Sequence, residues 1–514
     1  MALSSTALRI AITLFAASLL SLLAPPANLH WLHWVVFLPF FWVLREETPK
    51  ANLAYGYLFG VFSVAVLFRW IVDTIALFSP IPWLVSVGIL LLFSAAFGAP
   101  YVLIWGSVHR LRKGIGAWWV VVLPAVAVAV EWLSTYLILF PYHHGASQYR
   151  VPYTWQIISI TGIWGLTYLV YFVNCGWAEI LYRRREGNPV FPVYAVTGPI
   201  AALSAVVIFG VIRFDQIETQ LREAPTVKMA QIQLATTMVE RMSTDPRLGF
   251  KEWMDLTTRF NNLVDVVVWS EGSCPYYLTD ARNRKPIERL AKNGNFEIIV
   301  GAGAREPSPD SPLEEDFHIF NTTYFFGKTG DLLGRYDKMV PLPFGEYLPG
   351  SRIFPRIAGL IPGIGNFRPG LTPTVIEGDH LRIATPICYE AILSRVCRQY
   401  EAPDLLVNVT NDGWFGDTAA PHQHAMLAAI RATELGVPVF RAAYSGVSMV
   451  IEPHGHIFAE TEVFTEVTRI VTVRSATFPT FYARFGDWFV WLCFVVCGVG
   501  AFRSRPAADT KKPA

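Results

Sequence analysis

The sequence predicts a polytopic α-helical membrane protein carrying an extracytoplasmic α/β domain, and three observations predict it. Of 514 residues, 53% are hydrophobic and only 16% charged, with a mean hydropathy of +0.37, whereas soluble domains run near a quarter charged. The apolar residues are unevenly placed: they crowd 1–213 and 487–502, while 214–486 has the mixed composition of a soluble domain. Basic residues cluster after every second apolar segment, which fixes an orientation. A net charge of +2 is too small to argue for nucleic acid as a partner.

A spanning helix needs about 20 apolar residues. Segments that approach this lie near 7–24, 29–45, 53–70, 82–108, 117–138, 155–181, 193–213 and 487–502. The first ends in Ala24-Pro25-Pro26-Ala27, which also suits a secretory signal. Its amino end carries only Arg9, with no small-x-small cleavage site, so we read it as a first spanning helix. With the amino terminus in the cytoplasm, Arg45 and Lys50, then Arg110, Arg112 and Lys113, then Arg183 to Arg185, then Arg503 and Arg505 all fall inside. The opposite loops, such as 141–150, carry few basic residues. Seven helices within 1–213 therefore leave 214–486 outside, and an eighth at 487–502 returns a tail, 503–514, to the cytoplasm. In a bacterium the outer domain is periplasmic. Charges within the segments are few, Arg69, Asp73 and Glu131 being notable, which gives an ion pathway little support. Glu131, and His143, His144 and Gln148 in the following loop, read either as structural hydrogen-bonding groups or as headgroup contacts.

Within 214–486, strand-like runs at 226–234, 264–270, 296–303, 320–327, 380–388, 404–410 and 437–443 alternate with helical patterns at 250–262, 280–293, 390–400 and 421–435. That alternation argues a layered α/β domain. The Pro/Gly-rich stretch 359–373 reads as an irregular loop, and 350–373 as a cover for a site. The six cysteines, Cys175, Cys274, Cys388, Cys397, Cys493 and Cys497, show neither zinc spacing nor a disulfide framework.

Three runs end on polar residues that a core would reject. VVVWSEG delivers Glu271, IATPIC delivers Cys388, and GRYDKMVPLPFGEYLP supplies Lys338 and Glu346. Each alone has an ordinary reading: Cys388 as packing, Glu271 as a helix cap, Lys338 as a surface partner of Asp337. Brought together, they make a nucleophilic site in which the carboxylate accepts the thiol proton and the ammonium favours the thiolate and then an oxyanion. The backbone N–H of Tyr389 is a further candidate donor to that oxyanion. Charges left buried without partners would cost several kcal/mol, which favours the joint reading.

WSEG (269–272), YDKMVPLPFGEYLP (336–349), ICYE (387–390) and NDGWFG (411–416) resemble the carbon–nitrogen hydrolase, or nitrilase, superfamily. LPAVAVAVEW (123–132), GASQY (145–149), TGIWGLTYLV (161–170), PHQHAMLAAIRATELGVPVFRA (421–442) and YARFGDW (482–488) extend the resemblance to the apolipoprotein N-acyltransferase family of bacterial inner membranes. The resemblance implies an α-β-β-α sandwich between seven membrane helices and one more. It implies Glu271 as general base, Lys338 as stabiliser of the transition state and Cys388 as nucleophile, with Glu346 and Glu390 as further acidic positions. Tyr389 and Trp414 match aromatic positions near the site. The implied reaction passes an acyl chain from a phospholipid to Cys388 and then to the α-amino group of an S-diacylglyceryl cysteine on an apolipoprotein, with no cofactor. Tyr444, Ser273 and Cys274 depart from the family's usual residues. His422 and His424 lie two apart on a helix and point to different faces, against a metal. Two rivals stand beside this reading: a membrane-tethered nitrilase-type amidohydrolase acting on a small amide, and a transporter or scaffold with a catalytically dead outer domain.

Overall fold

The computed structural model describes residues 5–45, 48–78, 81–137, 140–187, 192–308, 317–349 and 366–504. The chain forms two compact units, one of Met1–Phe214 with Thr480–Ala514 and the other of Asp215–Pro479. Residues 350–365 of the expected covering stretch, and all of the expected tail beyond Ser504, lie outside the described residues.

The first unit is helical. By length and composition, Ser5–Leu23, Pro49–Leu67, Tyr101–Leu137 and Val193–Arg222 can each cross a membrane. A fifth crossing arises if Pro152–Thr161 and Ile163–Arg185, bent by 119°, make one span. His30–Leu44, Trp83–Gly98 and Trp488–Arg503 are shorter and apolar. The run 82–108, read above as one segment, is two helices, Trp83–Gly98 and Tyr101–Ile115. Pro100 between them has no N–H to continue the ladder. The bend before Ile163 centres on Gly162, whose positive φ of 64° suits glycine; a Cβ there would also strike the Tyr482 ring. Glu131 accepts hydrogen bonds from His143 Nδ1 at 2.9 Å and Thr167 Oγ1 at 3.0 Å. His144 Nε2 meets the Tyr101 hydroxyl at 3.0 Å. Glu131 and both histidines are buried, so these groups are interior hydrogen-bonding partners.

The second unit holds two six-stranded sheets. Its strands are β1 (Thr226–Gln233), β2 (Val266–Val268), β3 (Glu297–Pro307), β4 (Phe317–Phe326), β5 (Leu332–Asp337), β6 (Val375–Glu377), β7 (Arg382–Ala384), β8 (Leu405–Thr410), β9 (Val439–Ala443), β10 (Met449–Ile451), β11 (Ile457–Phe458) and β12 (Val467–Arg474). The first sheet runs β12-β1-β2-β3-β4-β5 and the second β11-β10-β9-β8-β7-β6. In each, three central strands are parallel: β1-β2-β3 in one and β7-β8-β9 in the other. Central parallel strands are covered on both faces and so read as continuous apolar runs; β2 and β8 are buried at every residue.

The sheets face each other across polar bonds as well as apolar packing. Thr323 of β4 and Thr385 lie 2.5 Å apart, and Ser448 Oγ donates to Gln233 Oε1 at 2.6 Å. Helices Pro246–Thr258 and Ala281–Gly294 pack Trp253, Leu256, Ile287 and Leu290 against apolar residues of β1 to β4. Helix Ala419–Leu435 supplies the outer layer beside the second sheet and is buried along most of its length. The result is the α-β-β-α sandwich expected from the sequence. The helix expected at 390–400 is absent as such: a 3-10 turn, Cys388–Ile392, is followed by one helical turn, Ser394–Cys397. Leu393, extended at φ −101° and ψ 99°, breaks the two apart.

Candidate active site

Glu271 and Cys388 sit where the central strands β2 and β7 end, and Lys338 where the edge strand β5 ends. After β2 the chain runs through Trp269 and Ser270 to Glu271, and turns at Gly272, whose φ is 62°. Gly301 on neighbouring β3 leaves room for that turn, since a Cβ there would meet the Glu271 Cα at 2.8 Å. Lys338 follows β5 and is anchored by its own backbone: its N–H donates to the Asn321 carbonyl at 2.8 Å, and its carbonyl accepts from Gly370 N at 2.7 Å.

Lys338 is buried, with Nζ 2.7 Å from Glu346 Oε2 and 3.4 Å from Glu271 Oε1. Asn321 Nδ2 bridges the same two carboxylates, donating to Glu271 Oε1 at 2.7 Å and Glu346 Oε1 at 2.6 Å. The second Glu271 oxygen accepts from Asn411 N at 2.9 Å, and Glu346 Oε2 from Leu342 N at 2.6 Å. Burial works against the lysine's charge, but Glu346 first and Glu271 next outweigh it and hold the ammonium above its ordinary range.

Cys388 follows β7 and opens the 3-10 turn with φ of 52°. A left-handed backbone costs an L-residue roughly 1–2 kcal/mol, and such strain recurs at functional positions. Here the surroundings hold it in place. Asn408 Nδ2 donates to Pro386 O at 2.9 Å and to Cys388 O at 3.4 Å, and Ile387 bridges to Val409. The Cys388 thiol is buried, close enough to Glu271 and Lys338 to feel both charges, with Thr410 within hydrogen-bonding reach. Burial, then the Glu271 carboxylate, push the thiol up; Lys338 and Thr410 pull the other way and do not offset this. These surroundings therefore favour the thiol over a preformed thiolate.

Glu390 lies behind this arrangement, fully buried. It accepts from Met339 N at 2.6 Å, Val340 N at 2.9 Å, Ile387 N at 2.9 Å and the Tyr336 hydroxyl at 2.9 Å. Burial lifts its carboxyl to about 7, against the pull of Lys338 and these donors. One side chain thus ties the segment bearing Lys338 to the segment bearing Cys388. Tyr389 is buried directly after the cysteine, and its phenol is raised by burial to about 12. Trp414, in the 3-10 turn Asp412–Phe415, is 44% exposed and stands at the surface.

Two groups of residues went unread in the sequence. Asn321 is one; its only signal was a polar residue inside a strand pattern. The other is a buried charged network. Asp412 meets His424 Nδ1 and Arg441 Nη2, each at 2.7 Å, and Arg441 also bonds Asn408. Burial alone would raise Asp412, but Arg441 and then His424 outweigh it and bring it down to about 2. His424, weighed above as a ligand, is thus committed to a carboxylate. Cys274 and Cys397 are free thiols, both raised to about 12 by burial. Among the described residues, Glu218, Glu452 and His454 converge in a manner that suits a metal. Arg474 already pairs with both carboxylates, at 3.3 and 2.6 Å, which supplies the charge that an ion would bring.

Residues 16–176 match the apolipoprotein N-acyltransferase N-terminal domain, and 228–480 match the carbon-nitrogen hydrolase family. The chain is 30% identical to the apolipoprotein N-acyltransferase of Geobacter metallireducens, over 94% of this chain and 92% of that one. It is 28% identical to the protein of that name from Rhodopseudomonas palustris, over 93% and 92%. A solved amidase of the nitrilase superfamily from Nesterenkonia AN1 is 17% identical, with TM-score 0.37, covering 52% of this chain and 97% of that one. The chain is an enzyme of the carbon-nitrogen hydrolase superfamily with apolar helices of a membrane protein. It belongs to the apolipoprotein N-acyltransferase family.

Proposed function

We propose that this chain transfers an acyl chain from a phospholipid, through a thioester on Cys388, to the α-amino group of the S-diacylglyceryl cysteine of apolipoproteins. The observation that carries the reading is the buried Lys338 ammonium held between Glu271 and Glu346 beside the Cys388 turn. The names of its relatives supply the substrate class. In the first step Glu271 takes the thiol proton as Sγ attacks the ester carbonyl, and Lys338 stabilises the tetrahedral oxyanion. The intermediate collapses, the alkoxide leaves with the proton from Glu271, and a lysophospholipid and a thioester remain. In the second step the acceptor amine attacks the thioester, Glu271 removes an amine proton, and that proton returns to the departing thiolate.

A neutral resting thiol suits this scheme. Deprotonation is deferred until substrate is present, which limits stray oxidation and alkylation of the nucleophile. Glu346 keeps Lys338 charged, so Glu271 remains available as base. We further place the protein in a bacterial inner membrane, with the catalytic unit periplasmic and both termini cytoplasmic, on the distribution of Arg and Lys between its apolar segments. The test is to incubate the purified protein with phosphatidylethanolamine and seek an acyl adduct on Cys388 by mass spectrometry, with Cys388→Ser as control. A diacylglyceryl-cysteine peptide is then added, and its N-acylation is expected as the adduct disappears. Absence of both adduct and transfer would sink the assignment, and release of free fatty acid alone would point to a hydrolase.

A further inference from the structure

Beside Glu271 stands a cation that neither step above uses. Arg241 lies on the short helix Met238–Ser243, which a capping box of Thr237 and Glu240 starts. Its guanidinium carbon sits 4.4 Å over the ring of Tyr444, and Nη2 donates to the carbonyl of Gly272, the residue after Glu271. One turn earlier on the same helix, Met238 packs against the segment that holds the other side of Glu271. The Met238 sulfur is 3.4 Å from Asn411 Nδ2, and Asn411 N donates to Glu271. The helix therefore forms a wall between the 271–272 turn and the 411–413 turn, with Arg241 as its charged element.

The environment of Arg241 is unusual for an arginine. The side chain is half-buried against Tyr444, itself part of the apolar core. Among the described residues no carboxylate comes within ion-pair distance of it. Its Nε and Nη1 find no acceptor among the described residues, although a guanidinium carries five donors in a rigid fork. A partly desolvated cation without a counter-charge is costly, and burial accordingly works to lower its pKa, with Tyr444 and Glu271 opposing. Glu271 does not neutralise it, because both Glu271 oxygens are engaged by Lys338, Asn321 and Asn411. An open guanidinium fork next to a reacting centre is suited to phosphate, which it grips bidentately.

We infer that Arg241 binds the phosphodiester of the phospholipid acyl donor, with Tyr444 stacking to hold the fork in place, and so selects a phosphate-bearing ester over an uncharged one. The inference rests on the acyl-transfer reading above. It makes Arg241 a specificity residue for the first step and leaves the second step, aminolysis of the thioester, without a need for it.

The experiment uses the full chain in detergent, with two donors of identical acyl chains, phosphatidylglycerol and diacylglycerol, and follows the Cys388 adduct over time by mass spectrometry. The wild-type protein should acylate faster from the phospholipid. In Arg241→Gln the ratio of the two rates should fall roughly tenfold to hundredfold, as expected for loss of hydrogen bonds to a charged group. Arg241→Lys, which keeps the charge but loses the fork, should fall between. An unchanged ratio, or an equal fall with both donors, would overturn the inference while leaving the acyl-transfer function intact. If inorganic phosphate slows wild type but not Arg241→Gln and the donor ratio is the same in both, the site serves free phosphate and the lipid assignment is wrong. Failure of the wild-type protein to form any adduct with either donor would instead overturn the function on which the inference stands.

Discussion

The two sheets of the catalytic unit end at the same site but prepare it differently. The first sheet brings a carboxylate, an amide and an ammonium: Glu271 after β2, Asn321 on β4 and Lys338 after β5. These are bound to one another, with Glu271 and Glu346 at the edge of burial. The second sheet brings Cys388, the nucleophile of the scheme proposed above, after β7. Behind it lies a network that does not touch the thiol's proton: Asp412, His424, Arg441 and Asn408. Asp412 and Arg441 are both fully buried. The difference is one of function. In the first sheet, Glu271 and Glu346 keep a small exposure around the buried Lys338, which suits the reacting roles proposed above. In the second, the polar residues are sealed in because they hold a strained turn and the 411–413 segment in position. Glu271 and Cys388 come from the carboxyl ends of the central parallel strands β2 and β7, where open α/β sheets generally place their ligands, whereas Lys338 follows the antiparallel edge strand β5.

This contrast is breakable. Glu271→Gln should reduce acyl transfer by about a thousandfold, within the usual range for loss of a general base, and leave thermal stability near that of wild type. A matching loss of stability would show that the first sheet's end is structural after all. Arg441→Met should act the other way. Removing one partner of a buried ion pair costs about 3–5 kcal/mol, so denaturant unfolding should shift strongly although no reacting group is altered. A milder result, below about 1 kcal/mol, would mean that Asp412 finds another partner. Asn321→Ala should cost roughly tenfold in turnover, on the scale of hydrogen bonds to charged groups. Its stability change should be much smaller than that of Arg441→Met.

The smallest effect is also the most diagnostic of the thiol. A thiol raised above the ordinary value of about 8.5 has a thiolate fraction that grows tenfold per pH unit without levelling off near neutrality. Alkylation of Cys388 by iodoacetamide should therefore keep rising from pH 7 to beyond 9. Glu271→Gln removes a charge that disfavours the thiolate, so alkylation at fixed pH should quicken while acyl transfer collapses. A pH-independent alkylation rate would show instead a preformed thiolate–ammonium pair.

How much of this was legible in the sequence follows from what each feature depends on. The central strands β1, β2, β3, β4, β7, β8 and β9 were readable because burial on both faces leaves a run of apolar residues. β5, β6, β10, β11 and β12 were not. Three of them span two or three residues, and β12 is an edge strand whose alternating exposure dilutes the signal. The helix expected at 390–400 failed because its pattern could not reveal that Cys388 adopts a left-handed backbone and Leu393 an extended one. Glu271, Lys338, Cys388 and Glu346 were named from the ends of runs and Glu390 from the family resemblance; Lys338 meets Glu271 and Glu346, and Glu390 binds the backbone beside Lys338 and Cys388. Trp414, named from the resemblance, is partly exposed in the turn that follows Asn411. Asn321, Arg241 and the Asp412 network were unreadable, because their significance lies in partners 25 to 50 residues away or farther that only the folded sheets bring near.

The carboxylate of Glu390 has a consequence for how the enzyme comes into being. Met339 and Val340 belong to the half of the catalytic unit built around the first sheet, and Ile387 to the half built around the second. Neither half contains a working site, and the clasp between them closes only when both sheets have formed and docked. A chain in which only one of them has folded keeps Cys388 apart from Lys338. On the assignment proposed above, acyl transfer would therefore require that both halves have folded and docked.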